Sequence, residues 1–388
     1  MEMGGSSIPE VDLMLCCART YLTPRTRVRV RDIVTQGIDW QAFLQRATSH
    51  GVRPLVYQSL HAICWEALPE AARQELSHFY SANSAKNRFL AGELLYILQL
   101  FEAEHILALP FKGPLLAAVF YGDLGLREFT DLDILVRERD VPRAREILSN
   151  QGYQSNLANT IVTRDINVDE LRSASTGISV ELHWEFSPRR FVSSIVAEDV
   201  WSGIKPCLIL GREVWSFSSQ DMFLFLAVHG AKHSWSSLKW LCDLAEFLRS
   251  NPDVDWPRLF KRAEALGAGR TCRLGIYLVA ELLEAEVPAT VACAVREDRQ
   301  VRYLAEDVRQ RILEPQDLDT ISGQVFNLRL KERLRDKVRY IFLQFTQYSG
   351  EEERFVRLPS MLSFLYFLVR PVWLLRRYGL SVLRRTVR

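Results

Sequence analysis

The sequence predicts an α+β protein in which a small α/β core lies between two helical regions. Apolar residues recur at helical spacing before residue 107 and again after residue 219, whereas the stretch between them alternates as strands do. We therefore expect four parts. They are an N-terminal helical region over 1–106, the core over 107–218, a helical domain closing the cleft over 219–350, and a basic amphipathic segment over 351–388.

The composition is ordinary for a globular protein and excludes some partners. A chain of 388 residues exceeds what one core usually supports, and 48% of its residues are hydrophobic. The net charge is only +2. Because long nucleic acids are bound largely by neutralising their phosphates, this charge disfavours them as partners.

The seven cysteines form no CxxC pair and no metal-ligand spacing. Scattered through apolar patterns, they predict reduced thiols and a cytoplasmic location. The N-terminus lacks the basic and apolar stretches of a secretory signal. The strongest apolar run, residues 361–369, is too short to span a bilayer.

The N-terminal region has the periodicity of several helices. Apolar residues recur at helical spacing from Trp40 onward, and the pair His50-Gly51 provides a stop signal. A second apolar stripe, over residues 89–101, leads into the core. We therefore expect helices over most of residues 9–106.

The core begins with residues 107–136, which read as a short strand, a turn, a helix, a loop and a second strand. Pro110 cannot donate to a strand ladder, so we expect the first strand to lie at an edge or to bend. An amphipathic helix ending at Gly152 follows. The remaining expectations are strands near 153–164 and at 178–186, with a connection over 165–177.

From residue 219 the pattern is again helical, with Ser219 and Asp221 as predicted capping residues. A second helix over 238–248 carries Asp243. Further helices are expected at 256–266, 271–285, 295–313 and 330–348, with a loop at 315–329.

The strand at the end of residues 107–136 carries two carboxylates, Asp131 and Asp133. Side chains two apart on a strand point to the same face, so each charge would raise the pKa of the other. A divalent cation relieves that repulsion, and Mg²⁺ suits carboxylate oxygens together with substrate phosphates. Glu181 shares the polar face of a later strand with His183 and Glu185. Beside the aspartates Glu181 would complete a carboxylate triad, whereas we expect Glu185 to be solvated.

Two basic residues near the aspartates are candidates for phosphate contacts. Lys112 precedes a predicted helix whose N-terminus presents free N–H groups to anions, and Gly113 allows close backbone approach. The alternative for Lys112 is a solvated turn lysine. Arg127 either braces the aspartates or meets a phosphate, and the sequence leaves both roles open.

His229, Lys232 and His233 share one side of a predicted helix through their spacing. HExxH is absent, which weighs against a zinc site. Two interpretations remain open. The three side chains either line the cleft opposite the carboxylates, paired with Asp243, or form a hydrogen-bond network between domains.

Several motifs together carry a resemblance to a known family. They are F-K-G-P-L-L-A, Y-G-D-x-G-L-R-E-F-T-D-L-D-I-L-V, V-E-L-H-W, W-Q-A-F-L-Q-R-A-x-x-H-G-V-R-P-L and H-G-A-K-H-S-W. The chain resembles nucleotidyltransferase family 5, a poorly characterised branch of the polymerase-β-like nucleotidyltransferase superfamily. The resemblance implies a small mixed sheet with flanking helices, two metal-binding aspartates on one strand and a third acidic residue on a neighbouring strand.

The same resemblance implies site roles. Asp131, Asp133 and Glu181 would be catalytic and bind metal, and Lys232 lies in a similar H-x-x-K-H pattern that would contact the triphosphate. Many superfamily members have Gly-Ser where this chain has Lys112-Gly113. That departure puts the usual serine contact in doubt and makes Lys112 its substitute.

The predicted activity is the Mg²⁺- or Mn²⁺-dependent transfer of a nucleoside monophosphate from an NTP, with ATP first among them, to a hydroxyl group. The acceptor would be a small hydroxylated molecule, a peptide or a protein. The alternatives are a phosphotransferase on the same scaffold and a non-catalytic nucleotide-binding protein. The presence of all three acidic residues argues against the second alternative.

The arginine-rich C-terminus has two possible placements. Residues 357–388 contain seven arginines and no acidic residue. The segment is either a terminal helix packed through Trp373, Leu374 and Leu380, or a surface for an acidic partner or a membrane.

Overall fold

The computed structural model describes residues 8–155, 167–185, 197–314 and 320–346, with residues 356, 368–370, 372–373 and 376. Most of the basic segment predicted over 351–388 therefore lies outside the described residues. So does part of the strand region predicted near 153–164. The division into four parts stays a prediction.

The N-terminal region is helical, as predicted. Side-chain caps start two of the helices, because Thr23 accepts a hydrogen bond from the Thr26 N–H and Asp39 accepts one from the Ala42 N–H. The stop at His50-Gly51 is also confirmed, with a positive φ of 64° at the glycine. The helices are α1 (Pro9–Cys17), α2 (Pro24–Gln36), α3 (Trp40–Ser49), α4 (Arg53–Ile63) and α5 (Glu70–Ala103), with a 3₁₀ turn at Trp65–Ala67.

The core contains a five-stranded mixed sheet in the order β1-β2-β5-β4-β3. Its strands are β1 (Ala108–Pro110), β2 (Asp131–Val136), β3 (Tyr153–Ser155), β4 (Val168–Ser173) and β5 (Ser179–His183). Strand β2 pairs antiparallel with β1 and parallel with β5. Pro110 lies on an edge strand, as its missing N–H required.

Between β1 and β2 the chain forms α6 (Pro114–Leu116), a π-helical turn at Ala117–Tyr121 and a 3₁₀ turn at Leu124–Leu126. After β2, a 3₁₀ turn at Glu138–Asp140 leads into α7 (Val141–Asn150). The predicted order of strand, turn, helix, loop and strand is therefore confirmed.

The predicted connection over 165–177 is wrong, because β4 occupies part of it. Its inward side chains include Asp169, which is fully buried and accepts hydrogen bonds from Arg145 and Ser155 at 2.6 Å each. A charged residue pointing inward breaks the apolar alternation that normally marks a strand. The strand was hidden for that reason.

A second, two-stranded sheet lies in a stretch to which the sequence assigned no element. After α8 (Ala197–Ser202), strands β6 (Lys205–Ile209) and β7 (Arg212–Ser216) form a hairpin. Leu210 and Gly211 connect them, both at positive φ. Two-residue hairpin turns of this kind usually contain Asn-Gly or Asp-Gly, so Leu-Gly is a weak signal.

The C-terminal region is helical among the described residues. Its helices are α9 (Ser219–Lys232), α10 (Leu238–Ser250), α11 (Trp256–Ala265), α12 (Gly269–Leu282), α13 (Ala289–Glu297), α14 (Arg299–Leu313), α15 (Thr320–Leu330) and α16 (Leu334–Thr346). Ser218, one residue before the predicted cap, accepts the hydrogen bond from the Asp221 N–H. The loop predicted at 315–329 is wrong, because α15 fills most of it and buries Phe326.

Apolar side chains from all three regions form one continuous core. The inward positions of β2 and β5 are apolar, and Leu132, Ile134, Val180 and Leu182 are completely buried. All seven cysteines are free thiols, four of them buried, as predicted. None of the described helices has both the length and the apolar character needed to cross a membrane.

Candidate active site

The parallel pairing of β2 and β5 brings the predicted acidic residues together. In this register Asp133 lies directly opposite Glu181, and Asp131 lies opposite Ser179. Because the side-chain period of a strand is two, the carboxylates share the face opposite the buried leucines. The sequence-based expectation that Glu181 lies beside the aspartates is therefore met.

Lys112 enters the cluster from the turn between β1 and α6. Its ammonium forms an ion pair with the Asp133 carboxylate and lies 3.9 Å from Glu181 Oε2. Gly113 makes this turn possible, with a φ of 49° that L side chains rarely adopt. A Cβ there would also lie 3.2 Å from the Asp131 carbonyl oxygen, so the close backbone approach is to β2 itself.

His183 was not singled out by sequence reasoning, although its place on the polar face of β5 was a signal. Its Nε2 lies 3.2 Å from Asp133 Oδ1 and 3.1 Å from Glu181 Oε2. The edge of its ring packs against Phe111, with centroids 5.0 Å apart. Among the described residues, Asp133, Glu181 and His183 form the one group of three potential metal ligands, with their donor atoms within 4.8 Å of each other.

The two aspartates have opposite pKa shifts. Burial raises the pKa of Asp131, and the neighbouring charge on Asp133 raises it further. Burial also acts to raise the pKa of Asp133, but Lys112 and His183 outweigh it and hold this pKa well below its usual range. For Lys112, burial is outweighed by Asp133 and Glu181, which raise the pKa of its ammonium. Asp133 and Lys112 are therefore both charged at neutral pH.

Two nitrogens of the Arg127 guanidinium bind Asp243 rather than the carboxylate cluster. Its Nε and Nη2 donate to the two oxygens of Asp243, at 2.7 and 2.9 Å, and the Tyr121 hydroxyl donates to the same carboxylate at 2.8 Å. Asp243 is 2% exposed. The predicted pairing of Asp243 with the α9 side chains is therefore wrong. The partners of Asp243 are Arg127 and Tyr121.

On α9, His229 is connected to the cluster through aromatic rings. Burial lowers the pKa of His229 well below its usual value, and the Lys112 charge lowers it further. His229 stacks on Phe225, whose ring in turn packs against Phe111. The imidazole is neutral at pH 7 for these reasons.

His233 and Lys232 occupy the end of α9. Burial lowers the pKa of His233 to about 4, helped by the charges on Lys232, Lys112 and Lys239. The His233 ring stacks on Trp240 with centroids 4.6 Å apart. Among the described residues neither α9 histidine belongs to a group of three potential ligands, so the structure gives the zinc interpretation no support.

Comparison with known proteins agrees with the geometry. The profile of a family described as uncharacterised nucleotidyltransferase matches residues 36–284, which is more than half of the chain. No curated protein matches. A solution structure of the antibiotic-resistance factor ANT(2'')-Ia is similar at 14% sequence identity and a TM-score of 0.27, over 58% of this chain and 98% of that one. Because the family profile covers more than half of the chain, the chain belongs to the uncharacterised nucleotidyltransferase family, and it is a nucleotidyltransferase.

Proposed function

We propose that the protein transfers a nucleoside monophosphate from an NTP, with ATP the first candidate, to a hydroxyl group in a Mg²⁺-dependent reaction. The observation that carries this proposal is the pairing of Asp133 with Glu181 on parallel strands, with Lys112 between them. Two carboxylates and an ammonium at one strand face are the groups that metal-assisted phosphate chemistry requires.

The residues present fit a divalent ion. Asp131, Asp133 and Glu181 bring three carboxylates against one ammonium, so the cluster has an excess of negative charge. Asp131 and Asp133 also repel each other, as the raised pKa of Asp131 reflects. Carboxylate oxygens are suitable ligands for Mg²⁺. When bound, such an ion would neutralise phosphate charge and orient the triphosphate.

In the proposed reaction the acceptor hydroxyl oxygen forms a bond to the α-phosphorus. The bond from that phosphorus to the oxygen bridging to the β-phosphate breaks, and pyrophosphate leaves. The hydroxyl proton passes to a carboxylate. Because Glu181 is engaged by His183 and Lys112, we assign the proton to Asp131.

The chain's cations would hold the triphosphate. Lys112 would turn its ammonium from Asp133 toward the phosphates, where a fixed positive charge stabilises the charge that develops in the transition state. Lys232, exposed at the end of α9, would contact the same phosphates from the other side of the cleft. His229, His233 and Gly113 would shape the site.

The acceptor is proposed as a small hydroxylated molecule, a peptide or a protein. The net charge of +2 weighs against long nucleic acids, as described above. Cytoplasmic location also stays a proposal, supported by the free cysteines. The basic C-terminal segment as a membrane contact stays a prediction about residues that are mostly not described.

The test is an incubation of the protein with Mg²⁺, a cell lysate and each NTP in turn, labelled at either the α- or the γ-phosphate. Mass analysis then identifies what was added. Product labelled from the α-phosphate, with release of pyrophosphate, supports the proposal. Product labelled from the γ-phosphate indicates a phosphotransferase. Label in no product with any NTP, while the NTP still binds, indicates a nucleotide-binding protein without turnover.

A further inference from the structure

One nitrogen atom in the cluster contacts two carboxylates. His183 Nε2 lies 3.2 Å from Asp133 Oδ1 and 3.1 Å from Glu181 Oε2. Ligands bound at about 2.1 Å around an octahedral or tetrahedral ion are themselves about 3.0–3.4 Å apart. The two separations from Nε2 therefore match those between ligands of a shared ion, and all three donor atoms lie within 4.8 Å of one another.

The imidazole is held in this position by its surroundings. It projects from β5 two residues beyond Glu181, and Phe111 packs edge-on against its ring. The adjacent Lys112 ammonium pairs with Asp133 and lies 3.9 Å from Glu181 Oε2, so the two carboxylates already stabilise a positive charge. An ion bound there would displace the ammonium from Asp133.

Imidazole changes which ion the site prefers. Carboxylate oxygens suit Mg²⁺ and Mn²⁺ alike, but Mg²⁺ favours an all-oxygen octahedron and gives up its water reluctantly. A nitrogen donor adds affinity for first-row transition ions and little for Mg²⁺. Among those ions Mn²⁺ best tolerates carboxylate-rich coordination.

We propose that His183 Nε2 binds the divalent ion together with Asp133 and Glu181, so that this site takes Mn²⁺ in preference to Mg²⁺. The inference rests on the proposed function in assuming a metal-dependent enzyme. It assigns the ion three ligands from two parallel strands, and it leaves Asp131 as the carboxylate that is not needed to hold this ion.

Manganese itself is the probe, because it is paramagnetic and its binding can be followed without NTP or acceptor. The full-length protein is titrated with Mn²⁺ while the electron paramagnetic resonance signal of the free ion is recorded, and Mg²⁺ is then added in competition. Pulsed measurements on the bound ion report nitrogen nuclei coordinated to it. We expect Mn²⁺ to bind more tightly than Mg²⁺ and to show coupling to nitrogen.

His183→Gln should abolish the nitrogen coupling and weaken Mn²⁺ binding at least about tenfold, since even the loss of a residue that only supports a ligand costs 10–100-fold. Mg²⁺ binding should change much less. His78→Gln, at an exposed position of α5, is the matched control and should keep both the coupling and the affinity. Should His183→Gln fail to fold, protein made with ¹⁵N-histidine tests the nitrogen assignment without any substitution.

Bound Mn²⁺ without nitrogen coupling overturns the inference and leaves the proposed function standing. Coupling that persists in folded His183→Gln also overturns it, as does equal affinity for the two ions. If the protein binds neither ion, the metal dependence in the proposed function fails as well. A negative transfer assay beside positive nitrogen coupling counts against the proposed function alone.

Discussion

Asp133 is a buried carboxylate whose charge is balanced by two neighbours. It is 3% exposed, with the Lys112 ammonium and the His183 ring against its oxygens. A buried charge is stable only when it is paired and hydrogen-bonded. The residue is therefore held ionised in a place where a neutral side chain would be easier to bury, which is typical of a functional group.

We expect Asp133→Asn to abolish metal-dependent NTP turnover while the protein remains folded, because the amide keeps the shape of the side chain and removes its charge. Steady-state kinetics with circular dichroism and a melting curve measure both effects. The matched control is Asp169→Asn, which changes a buried aspartate of the same sheet that pairs with Arg145. That variant should lose stability and keep its kcat. Turnover by Asp133→Asn within about threefold of wild type, roughly 0.7 kcal/mol in barrier height, would contradict the catalytic assignment.

Lys232 tests whether α9 contributes to the active site. If its ammonium meets the triphosphate, Lys232→Ala should weaken NTP binding or turnover roughly ten- to a hundredfold, since a hydrogen bond to a charged group contributes about 1.5–3 kcal/mol. The melting temperature should change little, because the side chain is exposed. A lower melting temperature with unchanged NTP kinetics would instead identify a structural contact. Lys261→Ala, on α11, provides a control for the loss of a positive charge.

At the scale of elements, the long helix α5 holds the loop that precedes β2. Asn87 donates from Nδ2 to the carbonyls of Leu124 and Arg127, at 2.6 and 2.8 Å. Asn83, one turn earlier, donates to the carbonyls of Gly125 and Arg127 at 2.9 and 3.2 Å. Both asparagines are buried, so these bonds satisfy backbone oxygens that water does not reach.

We expect Asn87→Ala to reduce the free energy of unfolding by about 1–3 kcal/mol, because the Leu124 carbonyl loses its amide donor and the Arg127 carbonyl keeps only the one from Asn83. Asn87→Asp should be more damaging, since a carboxylate would face those same oxygens. Urea denaturation measures both variants. Arg88→Ala, at the exposed neighbouring position, is the control and should change stability very little. Equal effects of the alanine and aspartate variants would contradict the assigned amide orientation.

At the scale of the whole molecule, helix α10 joins all three regions. Its Glu246 accepts hydrogen bonds from the N–H and the hydroxyl of Thr20, near the N-terminus. Its Asp243 accepts hydrogen bonds from Arg127 and Tyr121, in the segment that precedes β2. The helix therefore couples the packing of the N-terminal helices to the position of the loop before β2.

We expect Arg127→Met to lower stability by about 3–5 kcal/mol, because it leaves the Asp243 carboxylate buried without its main partner. Combining Arg127→Met with Asp243→Leu should recover part of the lost stability, because no buried charge is then left unpaired. Arg127→Lys should also destabilise the protein, since an ammonium cannot reproduce the bidentate contact with Asp243. Denaturation of the single and double variants measures the coupling. An unchanged melting temperature with a raised KM for NTP would show that Arg127 instead meets the phosphate.

Stability should also depend on pH through buried histidines. His50 is 1% exposed, and burial lowers its pKa to about 4, with the Arg46 charge acting in the same direction. Between about pH 6.5 and that value the unfolded chain binds a proton that the folded protein does not. Stability contributed by the neutral ring is therefore fully present above about pH 6.5 and falls with decreasing pH, by up to about 1.4 kcal/mol per pH unit.

His50→Asn should reduce the slope of stability against pH by up to about 1.4 kcal/mol per pH unit, which corresponds to one proton. Urea denaturation between pH 7.5 and 5 measures this slope. His229 and His233 have the same direction of shift and should keep contributing. His78→Gln is the control, because this histidine is exposed. A slope that His50→Asn leaves unchanged would show that the ring is protonated in the folded protein.

The sequence alone determined the parts of the site that depend on local periodicity. The shared face of Asp131 and Asp133 follows from the two-residue period of a strand, and so does the polar face of β5 that carries Glu181. The helical regions followed from apolar spacing in the same way. Such patterns are local because each concerns residues only a few positions apart.

Tertiary structure decided every partner across a long stretch of chain. The parallel register sets Glu181 against Asp133, Arg127 pairs with Asp243, and β4 turns Asp169 inward. The sequence predicted Glu181 beside the aspartates, but it contains no sign that Arg127 pairs with Asp243 or that Arg145 pairs with Asp169. Pairing free energy depends on separation and on the exclusion of water, and both exist only once the chain has folded.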